Sequence, residues 1–318
     1  MGSSHEHTHT HGVIDPSVIS HERGLWAVKW SFVGLMITAL LQAAVVILSN
    51  SVALLADTIH NFADAATALP LGIAFMFARL KPSRKFTYGY GRIEDLAGVI
   101  IVMLILFSAL VAGYESIHRF FYPQPVNHLG VVALAAFISF IGNEAVAIFR
   151  IKIGKEIGSA ALVADGYHAR VDGWTSLAVV AGAAGIWMGF PLADPLVGAL
   201  ITAVILYIVF DSAKMVFTRI LDGVEPGILE EIHHAASHVQ GVECVGPIQA
   251  RWIGHKLYAE INVAVKPGAS VSQGHAVAQE VSHQILHHLP QLGKATVHVD
   301  PSDKLCEDPR SRSHDHCQ

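Results

Sequence analysis

The first part of this 318-residue chain contains six apolar segments, and each is long enough to cross a lipid bilayer. They cover approximately residues 25–48, 52–77, 93–117, 129–149, 159–188 and 192–217. A helix needs about 20 apolar residues to cross the hydrocarbon core. The hydrophobic fraction is 52% and the charged fraction only 15%, and the mean hydropathy is +0.46. The sequence therefore predicts an α-helical membrane protein with six transmembrane helices.

The basic residues between these segments predict the orientation of the chain. The loop after the second segment and the stretch after the fourth carry most of them: Arg79, Lys81, Arg84, Lys85 and Arg92, then Arg150, Lys152 and Lys155. The links after the first and fifth segments contain no Lys or Arg, and the link after the third contains only Arg119. Because Lys and Arg accumulate on the cytoplasmic side, we expect a multi-pass protein of the cell (inner) membrane with both termini in the cytoplasm.

Near residue 223 the composition changes to that of a small soluble domain. The pattern predicts a helix over 226–239, strands over 242–250 and 256–265, a helix over 271–289 and a strand over 294–299. This αββαβ order is typical of an α+β domain with its helices on one face of the sheet. We therefore expect a His-containing tail (1–24), a transmembrane domain (25–222), a cytoplasmic domain (223–302) and a C-terminal tail (303–318).

Charge and cysteine content exclude several classes of function. The net charge is −5 and no basic cluster is present, so we expect no nucleic-acid partner. The three cysteines, Cys244, Cys306 and Cys317, form no close Cys-x-x-Cys pair, and we expect no disulfide framework. The chain also lacks the His-Glu-x-x-His motif of zinc hydrolases. These features argue against an enzyme and against a bound prosthetic group.

One polar motif, Ala-Asp-x-x-His-x-x-x-Asp, occurs twice inside the apolar segments. It covers residues 56–64 in the second segment and 164–172 in the fifth. Helical positions three and four apart share one face, so the acidic and His side chains of each motif point the same way. Ionisable residues at membrane depth are costly and indicate function. The alternative is a polar stripe whose side chains are satisfied by neighbouring helices.

The two motifs together supply four ligands for a divalent metal ion: His60, Asp64, His168 and Asp172. Two imidazoles and two carboxylates suit a tetrahedral ion such as Zn2+. Metal binding needs neutral His and ionised Asp, so protons compete with the metal for the same atoms. That competition is a physical basis for exchange of metal against protons.

Two further carboxylates, Asp57 and Asp165, precede the His of their motif by three residues. They can orient the imidazoles from behind the ligands, or they can cap or bridge helix ends. We expect a supporting role. Imidazole is a softer ligand than carboxylate, which favours Zn2+ over Mn2+ or Mg2+ but leaves Co2+, Cd2+ and Ni2+ open.

From about residue 25 to 302 the chain resembles the cation diffusion facilitator family. The features that match are the six apolar segments, the paired motifs, Tyr-Gly-Arg-x-Glu-Asp at 90–95, Asp194-Pro195 before the sixth segment, and the C-terminal α+β domain. The resemblance implies a homodimeric, zinc-type divalent metal/proton antiporter. It also implies that the four residues named above are the transport ligands.

The resemblance further implies that the cytoplasmic domain can bind regulatory Zn2+ at the dimer interface. His275, His298 and Asp300 fall where similar proteins place regulatory ligands, whereas Asn262 stands where a further strand His is often found. Glu260 or a tail cysteine are candidates to complete an altered site. For the other histidines we expect solvated helix faces; these are His233, His234, His238, His255, His283, His287 and His288.

The loop after the second segment departs from the family pattern. Many members carry a His in this loop, and Tyr90 stands in its place. A metal site in the loop is therefore not expected, and Tyr88 and Tyr90 are predicted to be packing or interfacial residues. We predict a structural role for Glu94 and Asp95, bonded to Arg92 or to Arg84.

Taken together, the sequence predicts a secondary transporter that exports Zn2+, or a similar divalent ion, from the cytoplasm in exchange for H+. A membrane metalloenzyme is one alternative, but it needs an open ligand position and a nearby general base. A metal sensor with a mere membrane anchor is another, and the polar motifs inside the membrane segments argue against it. Alternating access would expose the site to each side in turn.

Overall fold

The computed structural model describes residues 16–49, 65, 68–122, 129–190 and 192–306. Its membrane part consists of the helices α1 (Pro16–Ser49), α2 (Ala68–Ala78), α3 (Arg92–Phe121), α4 (Leu129–Ile157), α5 (Ala160–Trp187) and α6 (Ala193–Ile220). Within the described residues, α1, α3, α4 and α6 each contain a stretch long and apolar enough to cross a membrane. The chain is therefore a multi-pass membrane protein.

Helix α5 is the central helix of this bundle. It packs against α3, α4 and α6, and nearly all of its first half is buried. It has the length of a span, but it carries three charged residues, Asp165, Arg170 and Asp172, in that buried half. A helix enclosed by protein can hold such groups at membrane depth, whereas a helix facing lipid cannot.

A tight turn joins α4 to α5 and brings the two helices close together. Gly158 has a φ of 74°, and the hydroxyl of Ser159 caps α5 by accepting a hydrogen bond from the Leu162 amide at 3.1 Å. A Cβ atom on Gly166 would lie only 2.6 Å from the Cγ1 atom of Ile151. Small residues that let backbones approach are typical of helix contacts in membranes.

The outer face of the bundle is apolar. Large side chains of α3 and α6 are two-thirds or more exposed, among them Phe107 (66%), Tyr114 (69%), Tyr207 (71%) and Phe210 (70%). Such a continuous apolar surface would drive association in water. Lipid chains are the natural solvent for it.

The C-terminal part forms the predicted αββαβ domain. Its elements are α7 (Pro226–Ser237), β1 (Cys244–Ile253), β2 (Lys256–Val265), α8 (Val271–His288), β3 (Leu292–Pro301) and α9 (Ser302–Leu305). The sheet order is β1-β2-β3, with β1 and β2 antiparallel and β2 and β3 parallel. The two long helices bury Ile232, Val281 and Ile285 against Leu257 and Ile261 of β2. The predicted fold class is confirmed.

Element ends differ from the prediction in ways that have physical causes. α4 runs to Ile157 rather than to 149, because its last turns are polar but continue the helix beyond the apolar run. Of the predicted second segment, only Ala65 and the residues from Ala68 onward lie within the described part of the chain. The short α9 occupies the start of the segment predicted to be a tail.

A disulfide joins Cys244 to Cys306, so the prediction of no disulfide was wrong. The two cysteines are 62 residues apart in sequence, and that spacing gives no indication that they meet. They meet because β1 begins, and α9 ends, at the same end of the sheet. Cys306 is therefore not a free thiolate for metal in this structure.

Candidate metal transport site

The second motif forms a buried polar face on α5. Asp165, His168 and Asp172 are 0%, 3% and 6% exposed. The Nδ1 atom of His168 lies 3.6 Å from Oδ2 of Asp172, as expected for residues four apart on one helix. The motif therefore faces the inside of the bundle and not the lipid.

The first motif, with Asp57, His60 and Asp64, lies outside the described residues. The residue that follows it in sequence, Ala65, is fully buried. Ala65 belongs to one apolar cluster with Ala169, the residue that follows His168. Ala65 therefore lies inside the bundle, in the apolar cluster that borders the second motif.

Asp165 makes an ion pair that connects α5 to α4. Oδ2 of Asp165 lies 2.9 Å from Nη1 of Arg150, and both side chains are fully enclosed. The sequence left two roles open for Asp165, which were to orient an imidazole or to cap or bridge helix ends. The ion pair with Arg150 bridges two helices. Sequence reasoning missed Arg150, which it treated only as part of a basic loop.

A second ion pair joins the same two helices. Arg170 donates to Glu144 through two nitrogens, at 2.8 and 3.3 Å. Both side chains are about a quarter exposed. Two cross-links therefore fix α5 on α4 on either side of His168, at positions 165 and 170.

Buried polar residues of α1 and α4 line the bundle near the motif. Asn143 donates to the Ser139 hydroxyl at 3.3 Å, and Gln42 donates to the carbonyl of Ala135 at 3.2 Å. A Cβ atom on Gly173 would lie 3.3 Å from Cβ of Asn143, so this polar row approaches α5 next to the motif. In the sequence, the feature that could have indicated this polar row is the spacing of Ser139 and Asn143, which are four residues apart in a largely apolar helix.

Among the residues that the structure describes, no group of three or more His, Cys, Asp and Glu side chains is placed to hold a metal ion. Of the four predicted transport ligands, only His168 and Asp172 lie within the described residues. The other two predicted ligands, His60 and Asp64, lie outside the described residues. The two backbone-facing hydroxyls beside it, Thr175 and Ser176, both donate to the carbonyl of Asp172, at 2.8 and 3.0 Å.

The predicted regulatory residues lie in the C-terminal domain. Nε2 of His298 lies 3.3 Å from Oδ1 of Asp300 on β3, and Asn262 is the β2 neighbour of His298 in the parallel register. His275 is exposed near the start of α8, and Glu260 is exposed on β2. The structure brings His298 and Asp300 together as a pair.

Exposed positions were predicted for the remaining histidines, and this is correct for all but one. Those on the helices or at their ends are exposed: His233, His234, His238, His283, His287 and His288. His255 is different, because it is buried in the turn between β1 and β2. The prediction was wrong for His255.

The loop tyrosines pack as predicted. The ring of Tyr88 meets Tyr258 edge-on at 5.9 Å and lies 5.3 Å from the guanidinium of Arg251. Tyr90 packs on Phe86 with ring centroids 5.0 Å apart. The loop is thus an aromatic contact between the membrane part and the C-terminal domain.

Glu94 and Asp95 make structural contacts, and Asp95 has a predicted partner, Arg92. Oδ2 of Asp95 lies 3.4 Å from Nη1 of Arg92, and it also accepts a hydrogen bond from the Gly254 amide at 3.2 Å. Nδ1 of His255 lies 2.6 Å from Oε2 of Glu94, and the two residues are 161 positions apart in sequence.

Comparison with known proteins agrees with this architecture. Residues 28–221 match the family model described as the cation efflux transmembrane domain. Residues 224–302 match the model described as the cation efflux protein, cytoplasmic domain. A probable cation efflux system protein of Mycobacterium tuberculosis is 46% identical over 318 residues, which cover 94% of this chain and 96% of that protein.

More distant similarities cover most of the chain for one relative and about a quarter of it for a solved structure. The magnetosome protein MamB of a Magnetospira species is 27% identical over 259 residues, covering 80% of this chain and 87% of that protein. Among solved structures, a MamM CTD variant in its cadmium form is 25% identical, with a TM-score of 0.24. It covers 24% of this chain and 95% of the solved one.

Proposed function

Because the chain belongs to the cation efflux family, the cation diffusion facilitators, we propose that it exports Zn2+ from the cytoplasm in exchange for H+. Members of this family are transporters of divalent metal cations and not enzymes, and the same holds for this chain. The choice of zinc and of protons is the proposal. It concerns the cargo of the transporter and involves no resident prosthetic group.

The observation that carries the proposal is the packing of Ala65 and Ala169 in one buried cluster. Neighbouring Cα atoms in a chain are about 3.8 Å apart. The place of Ala65 and Ala169 in one buried cluster therefore supports a position of Asp64 close to His168 inside the bundle. His60 precedes Asp64 by four residues, as His168 precedes Asp172, and two helices with this spacing can supply all four ligands to one ion.

The donor set supports Zn2+ as cargo and protons as its competitors. Two imidazoles and two carboxylates favour Zn2+ over harder ions, with Co2+, Cd2+ and Ni2+ as further candidates. Every ligand must lose its proton before it binds metal, and an unperturbed imidazole has a pKa of about 6.5. Protonation from the far side therefore offers a way to release the ion.

Supporting roles are proposed for the flanking carboxylates. The buried pair of Asp165 with Arg150 holds α5 in a fixed rotation on α4, which keeps His168 directed into the bundle. We assign a similar supporting role to Asp57 by analogy between the two motifs. Neither carboxylate is counted among the four transport ligands.

The assembly and orientation of the protein complete the proposal. We place both termini and the 223–302 domain on the cytoplasmic side of the inner membrane, because the basic loop with Tyr88 contacts that domain. The match to the cytoplasmic domain model supports a homodimer with the 25–222 helices in the membrane. The pair of His298 and Asp300, with His275, is proposed as part of a regulatory Zn2+ site.

Flux measurements in proteoliposomes test the transport site. A pH gradient is applied, and uptake of Zn2+, Co2+, Cd2+, Ni2+ and Mn2+ is followed for the wild type and for Asp64→Ala/Asp172→Ala. Zn2+ uptake that depends on the gradient and is lost in the double variant is expected. The matched control is Asp211→Ala, which removes an exposed carboxylate of α6 and should leave uptake unchanged. Uptake that survives the double substitution would remove the proposed site.

A further inference from the structure

The tip of the β1–β2 hairpin is inserted between the membrane helices. His255 sits at this tip and is 3% exposed, and Glu94, in the first turn of α3, is 1% exposed. Nδ1 of His255 lies 2.6 Å from Oε2 of Glu94. Because a carboxylate oxygen can only accept, the imidazole Nδ1–H donates this hydrogen bond. A buried polar pair thus links the two parts of the protein.

The same imidazole also contacts α2 (Ala68–Ala78). The ring of Phe75 on α2 lies 5.8 Å from the ring of His255, and Phe75 is fully buried. A Cβ atom on Gly24 of α1 would lie 2.6 Å from the Phe75 ring, so Phe75 is held tightly from behind. His255 therefore touches α2 through its ring and α3 through its nitrogen.

The backbone at this junction leaves no space for adjustment. A Cβ atom on Gly91 would lie 2.8 Å from the carbonyl oxygen of Ile253. Gly254 has a φ of 62°, and a Cβ atom there would lie 2.8 Å from the carbonyl oxygen of Gly91. The amide of Gly254 donates to Asp95. The hairpin tip is thus seated at one position relative to the start of α3.

Burial makes the His255–Glu94 bond sensitive to the relative position of α2 and α3. An enclosed polar pair is tolerated while both partners meet and becomes costly when they separate. We propose that His255 and Glu94 form a positioning pair that couples the C-terminal domain to the movement of α2 against α3 during transport. The inference rests on transport of a divalent cation, but not on the choice of zinc or protons as the transported ions.

This coupling gives the cytoplasmic domain a route to the transport site. In sequence, α2 continues the segment that holds His60 and Asp64. Alternating access requires one group of helices to move against another. A domain bonded to α3 and packed on α2 sets how easily that movement occurs, so the pair acts on the rate of the cycle and not on the metal ligands.

Substitution of His255 tests the proposal. His255→Phe keeps a ring against Phe75 but cannot donate to Glu94, whereas His255→Gln keeps an N–H donor. Initial uptake rates are measured in proteoliposomes over a range of metal concentrations, using the ion that the wild type transports fastest. His255→Phe should lower the kcat for transport roughly tenfold and leave KM within about twofold. His255→Gln should retain most of the wild-type rate.

Controls separate coupling from damage to the fold. Arg251→Gln removes an exposed contact with Tyr88 at the same junction and should transport normally. Glu94→Leu removes the other partner, and the double variant with His255→Phe should be no slower than either single variant. The proposal is overturned if His255→Phe has a normal kcat, or if its KM rises by as large a factor as its kcat falls. It is also overturned if His255→Gln transports as slowly as His255→Phe.

Discussion

At the scale of single residues, the sequence identified the second motif but not the side chains that hold it. The spacing of Asp165, His168 and Asp172 predicts a shared helical face, and they share one. Arg150 escaped prediction because a Lys- and Arg-rich stretch at a helix end usually faces water or lipid headgroups. Nothing local in the sequence indicates that Arg150 turns inward to pair with Asp165. His255 escaped for a related reason, since it is one of 20 histidines and only its place in a tight turn sets it apart.

The buried ion pair of Arg150 and Asp165 gives a stability prediction. Arg150→Leu leaves the carboxylate of Asp165 enclosed without its partner, and we expect a loss of ~3–5 kcal/mol in the free energy of unfolding. The double variant Arg150→Leu/Asp165→Leu should recover most of that loss. Denaturant unfolding of the purified chain in detergent measures both values.

The partly exposed pair of Arg170 and Glu144 is the matched control for that experiment. Arg170→Leu should cost about 1 kcal/mol or less, because the pair is about a quarter exposed and is less dependent on its partner than an enclosed one. If Arg150→Leu is as mild as Arg170→Leu, the carboxylate of Asp165 is not dependent on Arg150.

Metal selectivity is also decided at the scale of one side chain. Replacing His168 with Asp exchanges a softer nitrogen donor for a harder oxygen donor. The ratio of Zn2+ to Mn2+ uptake in a competition flux assay should therefore fall, with Mn2+ gaining. An unchanged ratio would mean that His168 does not contact the transported ion.

At the scale of helices and strands, the apolar runs and alternating strands were predictable, and the close contacts were not. The β2 pattern of Leu257, Ala259, Ile261 and Val263 predicts a buried face, and all four are buried. The close packing of α4 on α5 depends on Gly154 and Gly166 facing each other's helix, which hydropathy does not reveal. α9 was missed because a single turn of helix carries no periodic signal.

The approach of α4 to α5 predicts opposite effects for two glycines in the membrane helices. Gly166→Ala forces a methyl group against Ile151 and should destabilise the protein by about 1–3 kcal/mol. Gly130→Ala meets no atom within 4 Å and should be neutral or slightly stabilising, since Ala is the better helix former. Thermal unfolding in detergent compares the two variants, and equal effects would contradict close packing at Gly166.

At the scale of the whole molecule, the division into a helical membrane part and an αββαβ domain followed from composition and pattern alone. The junction between them did not, because its contacts join residues about 160 positions apart, as Glu94 and His255 do. Long-range pairs of this kind leave no periodicity in a single sequence. The disulfide between Cys244 and Cys306 was missed for the same reason.

Proton coupling predicts how the whole transporter responds to pH. Because metal binding needs deprotonated ligands, the apparent affinity for Zn2+ should fall as the pH decreases through the range in which imidazoles titrate, about pH 6–7. Measuring half-saturation of uptake against the pH on the loading side checks this. An affinity that does not change over that range would exclude the imidazoles as ligands.

The central claim is that the two motifs meet around one ion. Cysteines placed at the two His positions, His60→Cys/His168→Cys, test it most directly in a chain whose native cysteines are replaced by Ser. One equivalent of Hg2+ per chain should bridge the two thiols and protect both from a maleimide. In His60→Cys/Asp211→Cys, with one cysteine on the exposed side of α6, one equivalent can cap on average only one thiol per chain and should leave the other reactive. If Hg2+ fails to bridge positions 60 and 168 at any pH, with or without competing Zn2+, the two motifs do not share a site.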